Sequence, residues 1–336
     1  MRSHRQQSVL TLLLFFLSNQ IRRTVAFNIV IINQGGPESL ALCTAKRTCM
    51  THDANSDGFN KVSLVTTSDE ATQSRQYKYM YGSEEDPEEI NRPPTSQRVQ
   101  FVSSGEEIAS ALEDADSLVI VSPESPLDVP KLSPVLQYTT TALQSVVLLS
   151  RQDIGKGEEK SGGNFFGKLM GGDNNNFKQS EDKFRSLLKD SSPQASLCTL
   201  RCGTLKGGGP GYSSLGGRLE GYETAPEIGL SSTFYKNNFD LSNAMTTISH
   251  DKFTLAPMIQ KGDPNTMPNG FVKAGMKDSI EASPVETNIC TASLVASTLV
   301  KLGVEIEEDL EFSLGCEKSE DFPTVKEVEE LMKNLM

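Results

Sequence analysis

The sequence predicts an α/β fold of Rossmann type, with a mostly parallel sheet, helices on both faces and long loop insertions. Three observations carry that prediction. Apolar, β-branched runs such as FNIVIIN (27–33) and SVVLLS (145–150) read as strands buried on both faces. Helical stretches separate these runs, a rhythm that calls for parallel strands and crossover connections. Finally, the first run ends in Gly35-Gly36 ahead of a helical stretch, where an open α/β sheet places its ligand turn.

The elements follow in order. After the first strand, SLALCTAKR has helical character, and KVSLVTT (61–67) is a second strand. Tyr77–Thr95 is polar and interrupted by proline, so it is expected to be a loop. VQFVS (99–103) forms a third strand, and GEEIASALEDA an amphipathic helix with Ile108, Ala111 and Leu112 on one face. DSLVIVS (116–122) is the fourth strand, VLQYTTTALQ (135–144) a helix, and SVVLLS the fifth strand. SEDKFRSLLKD (180–190) opens with Ser180 as an expected N-cap, and ASLCTLRC gives a sixth strand entering a glycine-rich loop. ETNICTASLVASTLVKLG reads as a helix, LEFSLGC as a last strand and TVKEVEELMKNLM as a terminal helix. The domain so defined spans 27–335, with insertions near 151–180 and 212–285.

The N-terminal segment, 1–26, stands outside this pattern. Basic residues precede the short apolar run VLTLLLFFL, which matches a signal-type presequence and is too short to span a bilayer. A buried N-terminal strand or helix is the other reading. Ala26-Phe27 resembles the junction of plastid-targeting presequences in algae, so import into the plastid (chloroplast) is expected, with the secretory pathway as the alternative. The mature chain is expected to lack a transmembrane span.

Composition narrows the function. A formal net charge of −12 argues against a nucleic-acid partner. Six cysteines and three histidines show no paired metal-ligand spacing, so no metal site is expected, and Cys198 and Cys290 read as buried free thiols. The Gly207–Gly211 loop lacks P-loop spacing and reads as a flexible loop. NFFGKLM (164–170) fits either docking on a membrane or protein groove, or packing on its own domain.

Four segments then carry a family likeness: DADSLVIVS, SVVLLS, the run from Phe184 to Gly211, and TNICTASLVASTLV. Together they resemble the atypical short-chain dehydrogenase/reductase family, in its plastid branch of plants and algae. Leu200, Arg201, Gly203 and Leu205 fall in register with that family's LRPGxL loop, Cys202 standing in place of the proline. The likeness implies an NAD(P) site formed by Gly35, Gly36, Thr66, Ser122, Ser150 and Arg201, with Ser150 over the nicotinamide as the one catalytic candidate. Two departures qualify it. Asn33, Gly36 and Ser39 stand at the three glycine positions of the dinucleotide turn, so only the middle glycine is kept, and Glu38 adds negative charge there. None of the seven tyrosines has a lysine four residues later, so the Tyr-x-x-x-Lys pair of active members is absent. Asp69, after the second strand, reads as a solvated acid rather than a ribose ligand. The expectation is a degenerate NAD(P)-binding-like pseudoenzyme, with dinucleotide binding weak or absent. It would serve as an assembly or regulatory factor at a plastid membrane or photosynthetic complex. The alternative is an NAD(P)-dependent oxidoreductase or isomerase of atypical mechanism, with Ser150 and Arg201 near the cofactor and a proton donor supplied by an insertion. Gly36, on a surface turn, is expected to tolerate a bulky replacement with little loss of fold.

Overall fold

The computed structural model describes residues 27–50, 61–82, 98–152, 174–208, 230–231, 255–262, 285–303, 306, 308–317, 319 and 322–336. The presequence, the NFFGKLM patch and Gly209–Gly211 lie outside these residues. The strands are β1 (Asn28–Asn33), β2 (Lys61–Val65), β3 (Gln100–Val102), β4 (Ser117–Val121), β5 (Ser145–Arg151), β6 (Ser196–Cys202), β7 (Thr204–Lys206), β8 (Ala256–Lys261), β9 (Glu286–Asn288) and β10 (Leu310–Glu317). The helices are α1 (Glu38–Met50), α2 (Glu70–Tyr81), α3 (Gly105–Glu113), α4 (Val129–Leu136), α5 (Asn174–Ser191), α6 (Ile289–Gly303) and α7 (Val325–Leu335).

Eight strands form one sheet in the order β3-β2-β1-β4-β5-β6-β10-β8, and β7 pairs with β9 separately. Every pairing in the large sheet is parallel except that of β10 with β8. The first six strands therefore follow the 3-2-1-4-5-6 order of the Rossmann fold, whose direction reverses between β1 and β4. Alternation along each strand feeds two cores. Ile29, Ile31, Val119, Val121, Val147 and Leu149 pack under α1, α2, α6 and α7. Val30, Ile32, Leu118, Ile120, Val146 and Leu148 pack under α3, α4 and α5. Because both faces are covered, the central strands are apolar at nearly every position.

Helix α6 is buried at all but one of its fifteen positions and lies against α1. Two hydroxyl pairs join these helices, Thr44 with Ser293 at 3.3 Å and Thr48 with Ser297 at 3.0 Å. Ser293 and Ser297 also donate to carbonyls one turn earlier, so their buried hydroxyls are satisfied. None of the described helices is long and apolar enough to cross a membrane.

Several boundaries differ from the sequence expectation. Helix α2 extends through Tyr81, into the stretch expected to be a loop, because Asp69 caps its start and Tyr79, Met80 and Tyr81 are buried. The fourth helix occupies Val129–Leu136 rather than 135–144. Asp128 caps it, proline is favourable in its first turn, and the run Thr139–Thr141 follows its end. Ser180 is not an N-cap: α5 begins at Asn174, and the Ser180 hydroxyl donates to the Phe177 carbonyl while accepting from Leu127 N. Within the stretch 212–285, β8 closes one edge of the sheet against β10. All six cysteines are buried and outside any disulfide, and burial pushes the Cys198 thiol up to about 12.

Candidate functional site

Ligands of an open α/β sheet bind at the carboxyl ends of the strands where strand order reverses. In this chain that crevice lies between the β1–α1 turn (Asn33–Pro37) and the β4–α4 turn (Ser122–Asp128). The two turns are fastened to each other. Gln34 N and Gly35 N both donate to Val121 O, at 2.9 and 3.3 Å, and Glu124 N donates to Gly35 O at 2.8 Å. The Gln34 side chain accepts from Asp128 N at 3.2 Å and donates to Asp128 O at 3.4 Å. Gly36 N donates to the Asn33 side-chain oxygen at 2.9 Å, and the Asn33 amide donates back to Gly36 O at 3.0 Å.

The two glycines are explained by this contact. A Cβ on Gly35 would lie 1.7 Å from Ser125 Oγ, and one on Gly36 would lie 2.5 Å from Val121 Cγ1 and 2.9 Å from Pro123 Cδ. Neither residue has a positive φ, so close approach of the neighbouring turn is what demands glycine. The expectation that Gly36 would accept a bulky side chain with little loss of fold is therefore corrected: the position faces packed atoms of β4 and the turn beyond it. Ser122 is buried and donates to Ser125 O at 2.8 Å, tightening that same turn.

Thr66 lies at the end of β2 and donates to Gln76 Oε1 at 2.8 Å. Gln76 in turn donates to Glu38 at 3.0 Å, and Arg75 pairs with the same carboxylate at 2.9 Å. The Glu38 carboxylate at the start of α1 is thus held by two groups of α2. Asp69 is the N-cap of α2. Its carboxylate accepts from the Thr72 hydroxyl and the Thr72 N–H, which hold its pKa below the ordinary aspartate range.

Ser150 and Arg201 meet in a different place, under α5. Their side chains sit on adjacent strands, paired in register, and both point toward α5 rather than into the crevice. The Ser150 hydroxyl donates to Glu181 Oε1 at 2.5 Å, and Arg201 donates to Glu181 Oε2 at 2.6 Å. Arg201 also reaches Glu311 at 3.0 Å, and Arg185 closes the group on Glu311 at 2.6 Å. Glu181 is 2% exposed and Arg201 3%, so this is an interior ion pair. Burial alone would lower the Arg201 pKa, but Glu181 and Glu311 outweigh it and hold the guanidinium above its ordinary value.

The structure therefore brings Gly35, Gly36 and Ser122 together at the switch point, ties Thr66 into the α1–α2 contact, and joins Ser150 to Arg201 through Glu181. Sequence reasoning missed Asn33 and Gln34 as latching groups, and Glu181 and Glu311 as partners of Arg201.

At the N–H groups of residues 34–37, the turn as it stands does not fit a nicotinamide dinucleotide. Its pyrophosphate calls for amide donors on the β1–α1 turn. The N–H groups of Gln34, Gly35 and Gly36 are all donated within the protein, and the next residue, Pro37, has none.

No protein-family model matches the chain, and no curated protein matches it. Among solved structures it is similar to a putative NAD-dependent epimerase/dehydratase from Bacillus halodurans, at 8% identity and TM-score 0.43, covering 92% of this chain and 100% of that one. A short-chain dehydrogenase/reductase from Veillonella parvula matches at 11% identity and TM-score 0.44, covering 89% of this chain and 99% of that one. Yeast methylglyoxal/isovaleraldehyde reductase, complexed with NADPH, matches at 10% identity and TM-score 0.41, covering 81% and 70%. The fold assignment rests on the strand order itself, which makes this chain a Rossmann-type α/β protein.

Proposed function

We propose that this chain is a non-catalytic Rossmann-type scaffold, acting as an assembly or regulatory factor rather than an oxidoreductase. One observation carries the reading: the Ser150 hydroxyl is spent on Glu181, whose other oxygen is paired with buried Arg201. Hydride transfer to a carbonyl needs a group that delivers a proton to the developing alkoxide. At Ser150 the neighbouring group is a carboxylate locked in an ion pair, with a hydrogen-bond acceptor where a donor is required. The test is turnover. The purified chain is assayed for oxidation of NADPH and NADH with a panel of aldehydes, ketones and nucleotide sugars. No turnover above a heat-denatured control is expected, and reproducible turnover that is lost in Ser150→Ala overturns the proposal.

The place of action in this proposal is the plastid, at a membrane or photosynthetic assembly complex. What supports it is the basic and apolar pattern of 1–26 and the Ala26-Phe27 junction. Fusing residues 1–40 to a fluorescent reporter in an alga with secondary plastids checks the address. Plastid fluorescence that is lost in Phe27→Ala is expected, and export to the medium overturns it.

A further inference from the structure

The switch-point crevice disagrees with the ligand its architecture implies, and the disagreement has an identifiable cause. The strand order leaves a crevice between β1 and β4, and the two turns that border it are bonded to one another. Two side chains supply the fastening that backbone alone does not. Asn33 is the exposed last residue of β1, and its carboxamide closes a ring with Gly36, accepting from Gly36 N and donating to Gly36 O. Gln34 makes the same two-way contact with the Asp128 backbone, pinning the start of α4.

We propose that Asn33 and Gln34 form a built-in latch that keeps the dinucleotide crevice shut, the Asn33 carboxamide oxygen taking the Gly36 N–H that a phosphate oxygen of the ligand would need. The proposal goes beyond the non-catalytic reading and stands independently of it, since it concerns binding and not turnover. Its physical basis is competition for one donor. An amide already bonded to a neutral acceptor must lose that bond before a phosphate oxygen gains it, so the ligand's net gain is the difference between the two. A carboxamide tethered three residues away is present at high effective concentration and asks no loss of translational freedom, whereas the ligand must offset both. Releasing Asn33 removes the competitor while leaving the strand, the helix start and both glycines in place.

The experiment titrates NADPH into the full-length wild type and three variants by calorimetry, with thermal unfolding run alongside. Asn33→Ala and Asn33→Gly free the Gly36 N–H, and Asn33→Asp keeps an acceptor beside it and adds negative charge. Asn33→Ala and Asn33→Gly are expected to bind NADPH at least tenfold more tightly than the wild type, and Asn33→Asp no more tightly. Folded Asn33→Ala and Asn33→Gly proteins that bind no better than the wild type overturn the proposal. So does an Asn33→Asp variant that gains as much as Asn33→Ala. A second measurement needs no substitution: hydrogen exchange at the Gly36 amide of the wild type is expected to be slowed at least tenfold relative to an unbonded loop amide. Exchange at the unbonded rate overturns the latch. Turnover by the wild type bears on the non-catalytic reading alone, so the two can fail separately.

Discussion

The switch-point crevice and the cluster under α5 are held together by opposite physical means. At the switch point the fastening is neutral: carboxamides and backbone groups, partly exposed, each bond contributing little. Under α5 the fastening is charged, with Glu181 and Arg201 buried at its centre and Glu311 and Arg185 linked to them at a partly exposed edge. Neutral bonds at a surface are cheap to alter, and water replaces them when they break. Buried charges are not, because removing one partner strands the other away from water. The crevice should therefore be reversible by mutation and the α5 cluster should not.

The largest expected effect lies in the cluster. Glu181→Ala leaves Arg201 with Glu311 as its remaining charged partner among these residues, and we expect a loss of about 3–5 kcal/mol in urea unfolding. Arg201→Met should cost about as much, by stranding Glu181. The double variant Glu181→Leu/Arg201→Met removes both charges together and should cost well under the sum, because the penalty belongs to the unpaired state. Additive losses would mean that the two groups do not act as a pair, and the contrast between the two regions would fall.

Next comes the packing at the switch point. Gly36→Val sets its Cβ against Val121 Cγ1 and Pro123 Cδ, neither of which can swing away freely, and should cost about 1–3 kcal/mol. Gly35→Ala should cost less, since its nearest obstacle is the Ser125 hydroxyl, which rotates about one bond. Equal losses at the two positions would show that the turns separate easily, which also weakens the case for a latch. Gln34→Ala should be milder again, at about 1 kcal/mol, because its two bonds to Asp128 are long and water can replace them. Urea unfolding ranks all three in one series.

The ranking matches what could be read in the sequence. Strand positions were legible because strands buried on both faces are written as continuous apolar runs, as in Asn28–Asn33 and Ser145–Arg151. The mostly parallel, Rossmann-like sheet followed from their rhythm, and its strand order came from the structure. Helix ends were less legible, because side-chain partners distant in sequence decide them. Ser180 looks like an N-cap by its neighbours, yet its hydroxyl serves Leu127 and lies inside α5. The site was the least legible part. Gly35 and Gly36 were singled out as a turn that a pyrophosphate approaches closely, and sequence alone could not say that the protein's own atoms approach there. Arg201 was singled out through family likeness, and its partners are 20 and 110 residues away in the chain. Asn33 reads as a missing glycine, and only the geometry turns that absence into a contact.

The smallest expected effect separates the wet edge of the α5 cluster from its dry centre. Glu311 is one-third exposed, unlike Glu181, and it bonds both Arg201 and Arg185. Burial alone would raise the Glu311 pKa, but the two guanidiniums outweigh it and hold the carboxyl below the ordinary glutamate range. In the unfolded chain the group returns to about 4.3. A folded-state pKa below the unfolded one means that the unfolded chain binds the proton more readily. The stabilisation is then complete above about pH 4.3 and is lost as the pH falls through the lower folded value. Glu311→Gln should therefore unfold with a shallower dependence on pH below about 4.3, and run parallel to the wild type between about pH 5 and 7. Urea midpoints measured at half-unit steps from pH 3 to 7 decide this. If the two curves stay parallel down to pH 3, the arginines do not hold Glu311 and the charge chain ends at Arg201. A difference confined to the acid limb would instead mark Glu311 as the point where the interior ion pair meets water, at the edge it shares with partly exposed Arg185.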